Sequence, residues 1–297
     1  MSGSAPQEVA APVAVRPERP QSRVRIGIPS VIRHVLLLVA SALALYPIWF
    51  MVTTAFKTRT DYLDNPYSFP WPLSVDNFSQ ATSGGDFATW FKNSVILTLG
   101  SVVLATVFGA LAAFAVARMR WIGRNVFLSI NVALMVVPPV VMLIPLFILF
   151  TDLHLVSTYQ GVALIYAGLT LPFSVYLLTN FFRSIPHELI ESALVDGSGN
   201  LGVLVRIILP LSVPALVTLV VVNALWVWNE LLIALVFLPE DKLKTLMVGV
   251  TVFQNRYTLD VPVTMAGMLL ASLPMILLYL FGQRFFIRGL TAGAVKG

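Results

Sequence analysis

The stretch VDGSGNLGVLVRIILP, Val195 to Pro210, admits two readings that lead to different folds. Gly197, Gly199 and Gly202 have the spacing G-x-G-x-x-G, which in a strand–turn–helix setting cradles a dinucleotide pyrophosphate. That chemistry needs a strand before the glycines, a helix opening on them, and an acidic residue about 20 positions further on for the ribose. Here the preceding HELIESALVD has helical spacing, and the run that follows holds no acid until Glu230. The glycines therefore read as a turn between two helices, and the question becomes what those helices belong to.

Composition answers first. Of 297 residues, 58% are hydrophobic and 11% charged, where a soluble globular chain carries about 25% charged. Six nearly uncharged stretches are long enough to cross a bilayer, which takes about 20 apolar residues in a helix. They run Val35 to Phe56, Ser94 to Ala117, Asn125 to Thr151, Leu155 to Phe182, Ile207 to Asn229 and Val261 to Gln283. A β-barrel would show alternating strands of about ten residues instead. The expected fold class is an all-α integral membrane bundle of six transmembrane helices.

Charge sets the expected orientation. Arg16, Arg19, Arg23, Arg25 and Arg33 precede the first stretch, Arg118, Arg120 and Arg124 lie between the second and third, and Arg183 and Arg206 flank the glycine turn. With Arg284, Arg288 and Lys296 after the sixth, 13 of the 19 basic residues fall on one side. Positive charge collects on the cytoplasmic side, so both termini and the glycine turn are expected there. Residues 1–33, with five prolines and no aromatic residue, read as a disordered cytoplasmic arm. The first apolar run contains Ala42-Leu43-Ala44, as a signal-peptide cleavage site would, but its 22 uncharged residues exceed an h-region and read as an uncleaved anchor. The chain has no cysteine, which removes disulfides and thiolate metal sites.

Between the spans, Lys57 to Lys92 forms the longest outer loop, with NPYSFPWP as an extended turn and DFATWF as a short interfacial helix. Only Asp152 and His154 separate the third and fourth spans. In the third outer loop, Glu240 to Asp260, TLMVGVTVF is expected along the interface or under a partner. Pro138, Pro139, Pro145 and Pro172 each remove a backbone donor inside a span, which either shapes a pathway or is simply tolerated in a membrane helix. Asn93, Asn131, Asn180 and Asn223 read as amides that join helices or face a cavity. The densest polar cluster is W-V-W-N-E, in which Trp226, Asn229 and Glu230, with Asn223 one turn earlier, are candidates for a solute pathway. Sugars suit that mixture, since aromatic rings pack against C–H faces and polar groups meet hydroxyls. Glu230 either faces the bundle interior or water, or is an interfacial charge at the end of the span.

Around the opening stretch, Pro186 at a first turn with Ser184 as its cap starts a helix through HELIESALVD. Leu189, Ile190, Ala193 and Leu194 share one face, Gly197 is expected to stop the helix in a left-handed conformation, and Asn200 to cap the next one. A knob of two short helices, residues 183–206, is expected to project into the cytoplasm.

These residues carry a family resemblance. Glu191-Ser192-Ala193, then Gly197 after three residues and Ile207, Leu209 and Pro210 after nine more, resemble the E-A-A-x-x-x-G-x9-I-x-L-P signature of ABC importer permeases, with Ser192 in place of the usual alanine. Leu171-Pro172-Phe173, Trp228-Asn229-Glu230 and the ending GLTAGAVKG are similar to marks of the carbohydrate type. From about Val35 to the end the chain resembles the six-helix permease of maltose-type importers, which have the MetI-like fold. That resemblance implies a heterodimer with a second permease, two cytoplasmic ATPase subunits that bind ATP and magnesium, and an extracytoplasmic solute-binding protein. It assigns Glu191, Ser192, Ala193, Asp196 and Gly197 to a coupling helix on the ATPase and sends the tail, residues 285–297, toward the ATPase dimer. It implies a bacterial cell membrane and a sugar or oligosaccharide as solute, with glycerol phosphate and related polyols open.

The residues agree with a transport role. No G-x-x-x-x-G-K-[ST] occurs, so motive force must come from a partner. His34, His154 and His187 sit apart at span ends, and no paired acid and base or metal cluster is visible, which argues against an intramembrane enzyme. A passive channel is the other class left open. Nothing points to nucleic acid.

Overall fold

A computed structural model describes residues 28–83, 86–256 and 260–294, and their side chains except at 28–30, 252–256 and 284–294. The chain divides into two units, residues 1–48 and 49–297. In the first, the described residues belong to helix α1 (Ile28–Ala55), whose side chains from Val31 to Ile48 are exposed. Residues 28–33 belong to this helix, and residues 1–27, which hold most of the expected arm, lie outside the described residues.

The second unit holds α2 (Arg59–Asp64), α3 (Asp76–Ser83), α4 (Asp86–Arg118), α5 (Arg124–Leu134), α6 (Pro139–Asp152), α7 (Tyr159–Ser184), α8 (His187–Val195), α9 (Asn200–Val203), α10 (Leu209–Leu211), α11 (Val213–Asn229), α12 (Leu232–Phe237), α13 (Leu246–Arg256) and α14 (Val261–Ala294). Among the described residues, four helices are long and apolar enough to cross a membrane, namely α1, α4, α7 and α14. The third and fifth expected spans are broken. Helices α5 and α6 meet at 103°, and the segment Asn200–Leu211 meets α11 at 80°. Counting each bent pair as one span gives six. The prolines explain the first break: Pro139 opens α6, and Met135 to Pro138 make only local turn bonds.

The centre of the unit is the α4–α7 pair, whose facing sides carry Ala105, Gly109, Ala110 and Ala113 against Thr170, Ser174, Val175 and Leu178. A Cβ on Gly109 would stand 2.8 Å from that of Ser174, so glycine sets how closely these two helices approach. Small residues serve a membrane helix here because lipid supplies no hydrophobic drive and close contact must do the work. Ser174 Oγ in turn accepts from Asn223 Nδ2 at 3.0 Å, which adds α11 to the pair. Trp228 Nε1 donates to the Ala271 carbonyl at 3.0 Å and joins α11 to α14.

At one end of the unit, two expectations from sequence change. DFATWF is not a separate interfacial helix but the first turns of α4, where Asp86 sits favourably in the first turn. The segment TLMVGVTVF lies largely inside α13, where Leu246, Val248 and Val250 are buried and Leu246 and Val250 pack near Trp90 and Ala271 of this same chain. Asn93 serves as a hub: its Nδ2 donates to the Lys242 and Lys244 carbonyls, each at 2.9 Å, and its Oδ1 accepts from the Tyr159 hydroxyl at 2.7 Å. Asn131 likewise donates to the Pro172 carbonyl at 2.8 Å, whereas Asn180 is exposed. The NPYSFPWP stretch is irregular, as expected, and is closed at its base by Lys57. The Lys57 ammonium is fully buried and donates to the Asn65 and Pro66 carbonyls at 2.9 and 2.7 Å. Burial pulls its pKa below the usual lysine value, opposed by the charge of Asp61.

Candidate functional site

Two places in the fold hold the residues that the sequence singles out. The first is a cavity of about 570 Å³ bounded by the broken third span, α7 and α11. Its walls include Met135 and Val137 from the break, Met142 from α6, Thr170, Pro172 and Phe173 from α7, and Asn223 and Trp226 from α11. The 103° bend creates this space, since a straight third span would lay its side chains along α7 instead. Small-molecule sites commonly measure about 300–1,000 Å³, so the cavity is of ligand size. Its lining is apolar with few polar groups and carries no charged side chain. Asn223 lines the cavity, and among the described residues its Oδ1 has no hydrogen-bond partner. The Trp226 ring meets Tyr166 edge to face, with centroids 5.9 Å apart.

The W-V-W-N-E cluster therefore divides. Asn223 and Trp226 belong to the cavity, but Asn229 and Glu230 do not line it. Asn229 is exposed at the end of α11, with Nδ2 donating to the Leu225 carbonyl at 2.7 Å. Glu230 is half-buried, and its carboxylate accepts from the Tyr166 hydroxyl at 2.7 Å and from the backbone of Ile233 and Ala234 at 3.0 and 3.2 Å. It caps the start of α12 and ties that helix to α7. Its oxygens are thus engaged within the protein. Tyr166 was not visible as its partner in sequence, because 64 positions separate them.

The second place is the knob. Helix α8 starts after Pro186 with no side-chain cap, and Ser184 Oγ instead donates to the Phe181 carbonyl. Gly197 has φ +84°, its N–H donates to Leu194 O at 3.1 Å, and that of Ser198 donates to Ala193 O at 3.0 Å, the paired bonds of a Schellman stop. The cap position of α9 is Gly199, with Asn200 its first residue and no side-chain cap. A π-helical stretch, Leu204–Ile208, carries the chain to the 80° bend at Ser212.

The face expected to meet a partner splits in two. Ile190 and Ala193 are buried against this chain's own core with Phe182, Ile185, Val203 and Leu204. Leu189, Leu194, Val195 and Leu201 are exposed, Val195 to 87%. Glu191, Ser192, Asp196 and Gly197 are exposed beside them. Ala193 therefore seats α8 on the bundle and presents no methyl outward. The root of the knob is held by Arg118 at the end of α4, whose guanidinium donates to the Phe182 and Ile185 carbonyls at the end of α7.

The profile of binding-protein-dependent transport system inner membrane components matches residues 105–290, which takes in both broken spans, the cavity and the knob. The chain belongs to this family. It is a multi-pass inner-membrane permease subunit of an ABC importer, a transport component and not an enzyme. The melibiose/raffinose/stachyose import permease protein MelC of Bacillus subtilis is 33% identical over 84% of this permease and 91% of its own length. The diacetylchitobiose uptake system permease protein DasC of Streptomyces coelicolor is 35% identical over 85% of this permease and 92% of its own length. A chain in the crystal structure of a bacterial ABC transporter involved in import of the acidic polysaccharide alginate has the same fold, with TM-score 0.80 at 24% identity, over 90% of this permease and all of that chain.

Proposed function

We propose that this permease carries a sugar or short oligosaccharide, with the cavity at the broken third span as its stretch of the pathway and Asn223 and Trp226 as the solute contacts. The observation that carries the reading is the cavity itself: an uncharged lining with the aromatic rings of Phe150, Phe173 and Trp226 and the amide oxygen of Asn223 suits a neutral, hydroxyl-rich solute. The named solutes of MelC and DasC support it. A glycerol phosphate would ask for a cationic group, and the lining holds none.

On this reading the pathway is completed by a second, different permease, and an extracytoplasmic binding protein delivers the solute. Of two ATPase subunits, which hold ATP and magnesium, one docks on the knob at Glu191, Ser192, Asp196 and Gly197 and on the exposed Leu194 and Val195, with Ala193 seating the helix from beneath. The termini and knob are cytoplasmic. The test is ATP hydrolysis by the reconstituted transporter with its binding protein, supplied in turn with raffinose, diacetylchitobiose and glycerol phosphate. Stimulation by a saccharide is expected. Stimulation by glycerol phosphate alone, or equal uptake without ATP, would replace the reading with a polyol importer or a passive channel.

A further inference from the structure

Beside the knob, the turn between α4 and α5 forms a second concavity, of about 450 Å³, lined by Arg120, Trp121, Arg124, Asn125 and Val126. Between Asp86 and Asp152 the sequence contains no acidic residue, so the charge of this turn is not balanced along the chain. Arg118 is committed to the carbonyls of α7, but Arg120 and Arg124 make no ion pair among the described residues. Trp121 is fixed rather than loose: its Nε1 donates to the Ala115 carbonyl at 3.2 Å, and its ring meets Phe127 at 5.9 Å. Next to the charged pocket, Ile122 is fully exposed, and Val126 and Ile130 expose 62% and 56% of their surface one helical turn apart.

A free anion engages the arginines alone and makes no use of the apolar row beside them, which the third span carries into the bilayer. A phospholipid uses both, with its phosphate on the guanidinium groups and its acyl chain along α5, while a fixed indole sits where such rings collect at a membrane surface. We propose that the α4–α5 turn binds the headgroup of an anionic phospholipid in the cytoplasmic leaflet. The leaflet assignment rests on the orientation proposed above, whereas the headgroup preference does not.

The assembled transporter is placed in phosphatidylcholine vesicles containing brominated phosphatidylglycerol or brominated phosphatidylcholine, and the Trp121 signal is taken as the difference from a Trp121→Phe variant. Brominated phosphatidylglycerol should quench it the more strongly, and Arg120→Gln or Arg124→Gln should each weaken that preference about fivefold, while Arg→Lys at either position retains most of it. Equal quenching by the two lipids, or a preference that survives the double glutamine variant, overturns the proposal. Loss of the preference on adding inorganic phosphate at constant ionic strength also overturns it, in favour of a soluble anion. So does a double variant that sheds the ATPase with its lipid preference intact, since the pocket is then a protein contact. Ile122→Cys in intact cells reads the sidedness separately, and labelling by an impermeant reagent from outside overturns the leaflet assignment.

Discussion

The two ends of the α9–α11 arm use their distinctive residues in opposite ways. At the W-V-W-N-E end, the polar and aromatic groups that stand out in an apolar sequence are mostly spent inside the chain: Trp228 on α14, and Glu230 on Tyr166 and α12. At the knob end, apolar residues that stand out in a charged loop are left unspent, with Leu194, Val195 and Leu201 in the open. In lipid a polar group must find a partner and usually finds it within the bundle, whereas in water an exposed apolar group gains only from a partner still to come. A conspicuous residue is thus a poor guide to function inside the membrane and a better one outside it.

The sharpest way to break this contrast is on α8 itself. Ala193→Glu puts a carboxylate among Ile190, Val203 and Phe182 and should cost about 3 kcal/mol or more, read as a lower melting temperature together with loss of the ATPase. Leu194→Glu on the exposed side should release the ATPase with no change in melting temperature. If the two behave alike, the inner and outer faces are not distinct. At the other end, Glu230→Ala removes a charged acceptor from three donors and should destabilise by about 2 kcal/mol while leaving the solute concentration for half-maximal uptake unchanged. A shift in that concentration without a loss of stability would return Glu230 to the pathway.

Gly197→Val should cost about 1–2 kcal/mol through its backbone alone, because nothing lies within 4 Å of the added Cβ and only the left-handed φ resists it. Asn223→Ala loses one neutral hydrogen bond, about 1 kcal/mol, but should raise the half-maximal solute concentration several-fold if its amide faces the solute. Asn229→Ala should be the mildest, within about 0.5 kcal/mol and with uptake unchanged, since its side chain bonds only to its own helix in the open.

Much of this architecture was legible in the sequence because hydropathy reports composition over a span, and the helical stretches of α1, α4, α7 and α14 follow from it. Direction is another matter. The bends at Met135–Pro138 and at Ser212 leave the apolar content unchanged, so a hydropathy count passes over them, although Pro138 and Pro139 marked the first. The stop at Gly197 was legible because one residue type fits a left-handed position, while the caps assigned to Ser184 and Asn200 failed because many residues can do that job. Asn223 and Trp226 were singled out by their chemistry, and both line the cavity. That Glu230 serves α12, and that Ala193 faces inward, depended on Tyr166 and Val203, partners fixed by the fold and distant or indirect in sequence.

The guanidinium of Arg118 gives the permease a mechanical property. Because it grips the last carbonyls of α7 from the end of α4, the root of the knob is bolted to both central helices and has no independent hinge on that side. A load placed on α8 would therefore bear on α4 and α7 together, beside the point at Ser212 where the arm turns through 80° into the helix that carries Asn223 and Trp226.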